Sequence, residues 1–342
     1  AGIEIADRAS VAAEVSGDSD AAIEALIAKG NMQWSVGNTV GKELLDTARA
    51  LAEETANRQA DTRALSSMTS MAADFRSMAL ATDLVRRTLE TAARYEMGAV
   101  EARTSAMYSE ILLWNGDWDE VEDRASAALG ASPYTETIAW RILGTLQARQ
   151  GRAETRTALE RMWTLAEPAE QLTVVDPAAS AVAEYLWLSG ERDSAWLTSL
   201  DDVLARGIDA GLPWPSGALA FWMWKLDRLD TRPEGTFDFY GWILDGQPEK
   251  SVEFWHERAV PYETALALMH CGPDGQLEAL RICEDLGALA LSARSRHARA
   301  GHGVAPRGGS GRAPRERAAG GTPRPAVGLG RVAGGRARWA GG

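Results

Sequence analysis

The sequence predicts an all-α protein, an α-solenoid of antiparallel helix pairs running from about residue 6 to residue 290. Three observations carry this. Apolar residues recur at helical spacing, as in Leu44, Ala48, Leu51 and Ala52 and again in Leu84, Leu89, Ala92 and Ala93, while alternating runs of Val, Ile and Thr are almost absent. Helix-breaking glycines come at the short intervals that paired helices require, at Gly37, Gly41, Gly98, Gly116, Gly151, Gly190 and Gly246. Three of them, Gly116, Gly151 and Gly190, head near-equivalent segments spaced 35 and then 39 residues apart.

The repeat has a mechanical content at each position. Seven residues before each of these glycines stands a small side chain, Ser109, Gly144 and Ala183, which lets the first helix of a pair approach its partner closely. The residue before that is larger: Tyr108, Leu143 and Val182. The glycine turns the chain, and Pro133 and Pro168, seventeen residues after the first two glycines, end the second helix. Gly207 replaces proline in the third unit, and Arg156 stands in the middle unit where Val121 and Ala195 occupy the others. An earlier echo at an offset of 40 pairs Asp61, Arg63, Met68 and Met71 with Glu101, Arg103, Tyr108 and Ile111. The succession resembles the tetratricopeptide helix-turn-helix repeat.

Charge divides the chain into residues 1–292 and 293–342. The whole chain carries a formal charge of -12, but the first part holds 47 acidic and 25 basic side chains, while the second holds 11 arginines and one acid, Glu316. The acidic body would repel a phosphate backbone. In the tail, 39 of 50 residues are Gly, Ala, Arg or Pro, too few large apolar groups to offset chain entropy, so disorder is expected from about Ala293. This low-complexity segment reads either as an arginine-rich nucleic-acid arm or as GC-rich DNA translated out of frame; the excess of arginine over lysine, 32 to 4, favours the second. No stretch is long and apolar enough to span a bilayer, and nothing at the amino end has the make-up of a secretion signal, so a cytoplasmic protein without membrane contact is expected. Cys271 and Cys283, twelve positions apart, fit neither a redox pair nor a zinc pair and read as idle thiols.

No catalytic centre, cofactor site or metal site emerges, and binding rather than catalysis is expected. Gly37-Asn-Thr-Val-Gly41-Lys42-Glu43 has one residue too few between the glycines for a phosphate loop and an acid where a hydroxyl should hold magnesium, so it reads as an interhelical turn. The histidines are His256, His270, His297 and His302; His270 adjoins Cys271, but neighbours on one helix point about 100° apart and would not form a nucleophile pair. The abundant carboxylates read as solvated helix faces. The compositional excess is 13 tryptophans. Trp214, Trp222, Trp224 and Trp242 crowd into one stretch, readable as an aromatic pocket for a small inducer or partner, or, as the plainer alternative, as helix packing in the middle of the array.

From Gly217 onward the residues resemble a family. Gly217-Ala-Leu-Ala-Phe-Trp222-Met-Trp224-Lys-Leu, then Asp245-Gly246 leading to Phe254-Trp255, Pro261-Tyr262-Glu263-Thr-Ala265-Leu-Ala-Leu268 and Leu280-Arg-Ile-Cys-Glu-Asp-Leu286-Gly287-Ala288 follow in order. This succession is similar to the end of the helical-repeat region in large ATP-binding transcriptional regulators of the LuxR family. The resemblance implies a region that senses an inducer or protein partner and supports self-association. It also implies an ATP-binding module before the region and a DNA-binding helix-turn-helix after it. Neither module is expected within this chain, which lacks a Walker motif and continues past Leu286-Gly-Ala into the arginine-glycine tail, so DNA contact is expected only through a missing module. The competing expectation is a free-standing tetratricopeptide-like scaffold for a partner protein.

Overall fold

The computed structural model describes residues 2–35, 38–169, 171–211 and 213–302, without the side chains of residues 2, 3, 14, 35, 213–216 and 297–302. The expected tail therefore falls, from residue 303 on, outside the described residues. Every regular element among the described residues is helical. In chain order they are α1 (Gly2–Ser16), α2 (Ser19–Ser35), α3 (Val40–Glu54), α4 (Arg58–Asp74), α5 (Met78–Arg94), α6 (Gly98–Asn115), α7 (Val121–Ala127), α8 (Pro133–Gln150) and α9 (Thr155–Ala166). There follow α10 (Leu172–Ser189), α11 (Ser194–Asp209), α12 (Pro213–Lys225), α13 (Asp238–Leu244), α14 (Pro248–Glu257), α15 (Pro261–Leu268), α16 (Gly272–Leu286) and α17 (Leu289–His302).

Each helix packs on the next, and the even-numbered helices α2, α4, α6, α8, α10 and α12 also pack on one another in a row. That double succession is the signature of a solenoid: an inner row of first helices and an outer row of second helices. The inner helices are buried on most sides; in α8 every residue from Ile142 to Arg149 is buried, and in α10 every residue from Ala181 to Leu188. The outer helices are amphipathic, as in α5, which buries Ala81, Leu84, Val85, Thr88 and Ala92 along one stripe.

The turns explain both what the sequence pattern finds and what it passes over. Gly116, Gly151 and Gly190 cap α6, α8 and α10 in the left-handed conformation, with φ of 88°, 72° and 79°. Upstream, the same turn recurs every twenty residues at Ala56, Arg76 and Glu96, none of them glycine, with φ of 53° to 55°. The residue after each donates its N–H back across the last helical turn, from Asn57 to Ala52, Ser77 to Ala72 and Met97 to Ala92, at 2.8 to 2.9 Å. These bonds satisfy carbonyls that a helix end would otherwise orphan, and they hold the side chain-bearing residue in a conformation glycine would adopt more cheaply. The 20-residue period per helix is the 40-residue echo seen in the sequence.

Two expected breakers are not breakers. Gly98 is the first residue of α6, and Gly41 lies inside α3, buried against α2. A Cβ at Gly41 would sit 2.5 Å from the Gly30 carbonyl oxygen and 2.6 Å from the Trp34 nitrogen, so the glycine serves close helix contact rather than chain reversal. Pro133 opens α8 at its first turn rather than ending α7, which stops at Ala127, and Pro168 sits in the short 3-10 turn after α9. Gly207, by contrast, is buried within α11. Gly144 faces Leu159 of α9 with room for no Cβ, and Ser109 and Ala183 are fully buried.

The array does not stay open. The carboxy-terminal helices fold back across the turn ends of the middle repeats: α15 packs on α6, and α17 on α8 and α10. Pro261 and Leu286 lie against Gly116, Ala290 against Gly151 and Arg294 against Gly190. Leu286 ends α16 and, past the left-handed cap at Gly287, Ala290 and Arg294 stand one helical step apart on α17, so one terminal segment runs over three consecutive repeat turns. Helix α17 reaches His302, ten residues beyond the boundary that composition places at 292.

Candidate functional site

The inner row and the returning helices enclose a cavity of about 750 Å³, a volume in the range of small-molecule sites. Its wall is built by residues three and four apart on successive inner helices. Arg103, Met107, Glu110 and Trp114 come from α6, Tyr134, Arg141 and Arg149 from α8, and Pro177, Ser180 and Glu184 from α10. Asp74 and Arg76 arrive from the end of α4, Trp222 from α12, Tyr240 from α13 and Glu263 from α15. Four guanidinium groups and four carboxylates therefore line one partly open pocket.

Arg149 is the centre of this wall. Its side chain is 1% exposed, and it donates from Nε to Glu184 Oε1 at 2.8 Å and from Nη2 to Glu263 Oε1 at 3.2 Å. The guanidinium also lies 3.8 Å from the Tyr262 ring centre and 5.2 Å from that of Trp114. The bond to Glu263 joins α8 to α15 across 114 residues of sequence, so the charge network fastens the returning helices to the inner row. Nη1 of Arg149 and Oε2 of Glu263 are buried with no hydrogen-bond partner among the described residues, as is Nε of Arg103.

A second cluster adjoins the first at Trp114, whose ring both Arg76 and Arg149 face. Arg141 donates to Glu110 at 2.8 Å, both largely buried. Arg76, in its left-handed turn, donates to the Ala73 carbonyl at 2.7 Å and places its guanidinium 3.5 Å from the Trp114 ring centre. A buried arginine held in a costly backbone conformation and stacked on an indole is the most strained feature of the wall.

Burial, reinforced by the negative charge of Glu110, pushes Asp74 up to about 7. Burial, reinforced by Glu184, pushes Glu263 up to about 7 against the pull of Arg149. Glu110 is itself pushed up by burial, but the bonded Arg141 overrides this and holds it below the usual carboxylate range. The folded state therefore binds protons on Asp74 and Glu263 that the unfolded chain has released, and between about pH 4.5 and 7 these two groups make stability fall as pH rises. His270, held down at about 3 by burial, works in the opposite direction below its ordinary value. Comparing wild type with Glu263→Gln isolates one contribution: the difference in unfolding free energy between the two should change between about pH 5 and 7, with wild type losing ground as pH rises, and level off above that.

Of the four tryptophans readable as a pocket, the three whose side chains are described have different neighbours. Trp222 lines the cavity and contacts Trp187 at 5.7 Å between ring centres. Trp224 stands beside His270, and Trp242 packs edge-on to Phe254. Trp214 belongs to α12, but its side chain lies outside the described residues, as do Gly37 and the His297 side chain. Trp222 and Trp224 are nonetheless linked through Phe221, which touches both. His270 and Cys271 lie in the turn after α15 rather than on one helix, because α15 ends at Leu268; His270 bonds Lys225 and Cys271 the Ala267 carbonyl. Cys283 is buried, and burial pushes its thiol up to about 12.

What the sequence reading misses is the charged wall itself. Its signal is present: Arg141, Thr145 and Arg149 step by four through the otherwise apolar run of α8, and Arg103, Glu110 and Trp114 share a face of α6. Among the described residues there is no cluster of three or more metal-ligating side chains, and no helix is long and apolar enough to cross a membrane. A scan against protein-family models matches none of them, and a search of curated proteins finds no match to the chain.

Proposed function

We propose that this chain is a receptor for a small charged molecule, bound in the cavity between the inner helices and the returning α15. It acts by binding rather than by chemistry. The observation that supports this most is the density of buried charge. Buried ion pairs of this kind stabilise a fold little better than apolar residues of the same size, so a cavity lined by eight charged groups is better explained by recognition than by stability. The cavity also lies at the contact between the inner row and the returning helices. A ligand bridging Arg103 on α6 and Arg149 on α8 would favour one spacing of adjacent repeats and transmit binding along the array.

The resemblance to the helical-repeat region of LuxR-family regulators supports the same reading, that of a signal-sensing and self-associating region. ATP and promoter DNA would be contacted by modules that this sequence does not contain. Thermal-shift screening of the chain against charged metabolites tests the receptor reading, because a ligand that binds only the folded state raises its apparent stability. A compound that raises the melting temperature saturably, and loses its effect in Arg103→Met, is the expected result. A panel of charged metabolites none of which stabilises the chain, with a protein partner stabilising it instead, would favour the scaffold reading.

A further inference from the structure

The cations of this chain are arginines with four exceptions, Lys29, Lys42, Lys225 and Lys250. Lys29 and Lys42 form surface ion pairs with Asp7 and Asp46, and Lys250 is exposed. Lys225 has a different setting. It ends α12 half-buried, with Nζ 4.9 Å from the ring centre of Trp187, 5.2 Å from Trp224 and 5.4 Å from Phe221. Nζ also lies 2.5 Å from Nε2 of His270. No carboxylate among the described residues pairs with it. Its charged neighbour is another cation, Arg294 of α17, whose guanidinium stands 4.5 Å from the same Trp187 ring.

An ammonium group largely withdrawn from water, without a paired carboxylate and facing a second cation is better off as a neutral amine. Burial, and then the charge of Arg294, bring Lys225 down to about 7. Burial and Lys225 together hold His270 down at about 3, so the imidazole is neutral and can accept one amine N–H while the nitrogen lone pair stays free. Arginine, which keeps its proton under all ordinary conditions, could not supply this chemistry. The choice of lysine at 225, in a chain that otherwise spends arginine, thus acquires a chemical reason.

We propose that Lys225 is an amine nucleophile that forms a reversible imine with an aromatic aldehyde carrying an anionic group. The neutral amine attacks the carbonyl carbon, forming the C–N bond as the carbonyl electron pair moves to oxygen. A proton passes from nitrogen to that oxygen, giving the carbinolamine. The C–O bond then breaks and water leaves with the second amine proton. Amine and aldehyde give imine and water, with no oxidation or reduction. The half-buried Trp224 ring supplies apolar surface for the aromatic body, the buried Trp187 and Phe221 rings back the amine, and Arg294 supplies the charge for the anionic group. This site is separate from the charged cavity, so its fate does not depend on the receptor reading.

The test treats the full chain with 4-carboxybenzaldehyde or benzaldehyde, traps imines with borohydride and maps the four lysines by mass spectrometry. At pH 7 the Lys225 adduct should exceed that at each other lysine by about tenfold or more, as the far larger neutral fraction of this amine requires. Its pH profile should be half-maximal near pH 7, with the carboxylated probe preferred. Arg294→Gln should move the midpoint upward and remove that preference. Equal labelling of all four lysines at pH 7, an unlabelled Lys225, or a Lys225 profile still rising at pH 10 like that of Lys250 would overturn the proposal. If the Arg294 variant does not fold, the wild-type profile alone decides.

Discussion

Replacing Arg149 by methionine should destabilise the chain by roughly 3–5 kcal/mol, measured by denaturant unfolding at neutral pH. The side chain is 1% exposed and is bonded to two carboxylates that are themselves 5% and 3% exposed. Methionine fills the space but leaves Glu184 and Glu263 facing each other without a counter-charge. The remedy open to the protein is to take up protons, and Glu263 already sits at about 7 with the arginine in place. The loss should therefore be larger at pH 8 than at pH 5.5. The triple variant Arg149→Met, Glu184→Gln, Glu263→Gln should recover much of it, since a neutral wall strands no charge. A loss that is the same at both pH values and unrelieved in the triple variant would mean that Arg149 acts through packing on Tyr262 and Trp114 alone.

Gly41→Ala should cost about 1–3 kcal/mol, or more, although alanine is the better helix former by about 1 kcal/mol at an ordinary position. The atoms that a methyl group would meet, at 2.5 and 2.6 Å, belong to the backbone of α2 and cannot swing aside. The helices must separate, and Gly30, which faces the Gly41 carbonyl at the same crossing, shows how close they are. Gly144→Ala is the contrast: the atoms it would meet first belong to the Leu159 side chain, which can change rotamer, so its cost should be smaller. Chemical unfolding of both variants checks the order, and a stabilised Gly41→Ala would show that the α2–α3 crossing is wrongly placed.

The comparison of Gly41 with Gly116 shows where sequence reading succeeds and where it stops. Both glycines look alike in a string of letters. At Gly116 the signal is local, a helix end followed by a reversal, and it repeats at Gly151 and Gly190 with small residues seven positions earlier, so the repeat and its helix pairs are legible. At Gly41 the cause is another helix ten residues back, which no local pattern announces. The turns at Ala56, Arg76 and Glu96 are illegible for a different reason: tertiary packing holds ordinary residues in a conformation that composition assigns to glycine.

The charged cavity was hidden for a third reason. Arg149 and Glu184 carry the residue types of a solvated face, and only the stacking of α6, α8 and α10, closed by α15, turns that face inward. Glu263 is the clearest case, since the segment Pro261-Tyr262-Glu263 stands out in the sequence by resemblance, while its physical role, pairing with an arginine 114 positions earlier, is visible only in the fold. The tryptophans show the opposite kind of limit. Proximity along the chain put Trp222, Trp224 and Trp242 together, but helical rotation and the turn after α12 send them to different surroundings.

The closure of the array over its own repeat turns is the claim on which the cavity depends, and a designed cross-link tests it most directly. A Cβ at Gly151 would lie 3.8 Å from that of Ala290, the separation typical of a disulfide. The chain carrying Gly151→Cys and Ala290→Cys, with Cys271 and Cys283 replaced by serine, should form this bond under mild oxidation. Peptide mapping should find residue 151 joined to residue 290 in most of the folded protein. Persistently free thiols in a folded chain, or bonds only between molecules, would mean that α17 does not cross the turn of Gly151 and that the array stands open.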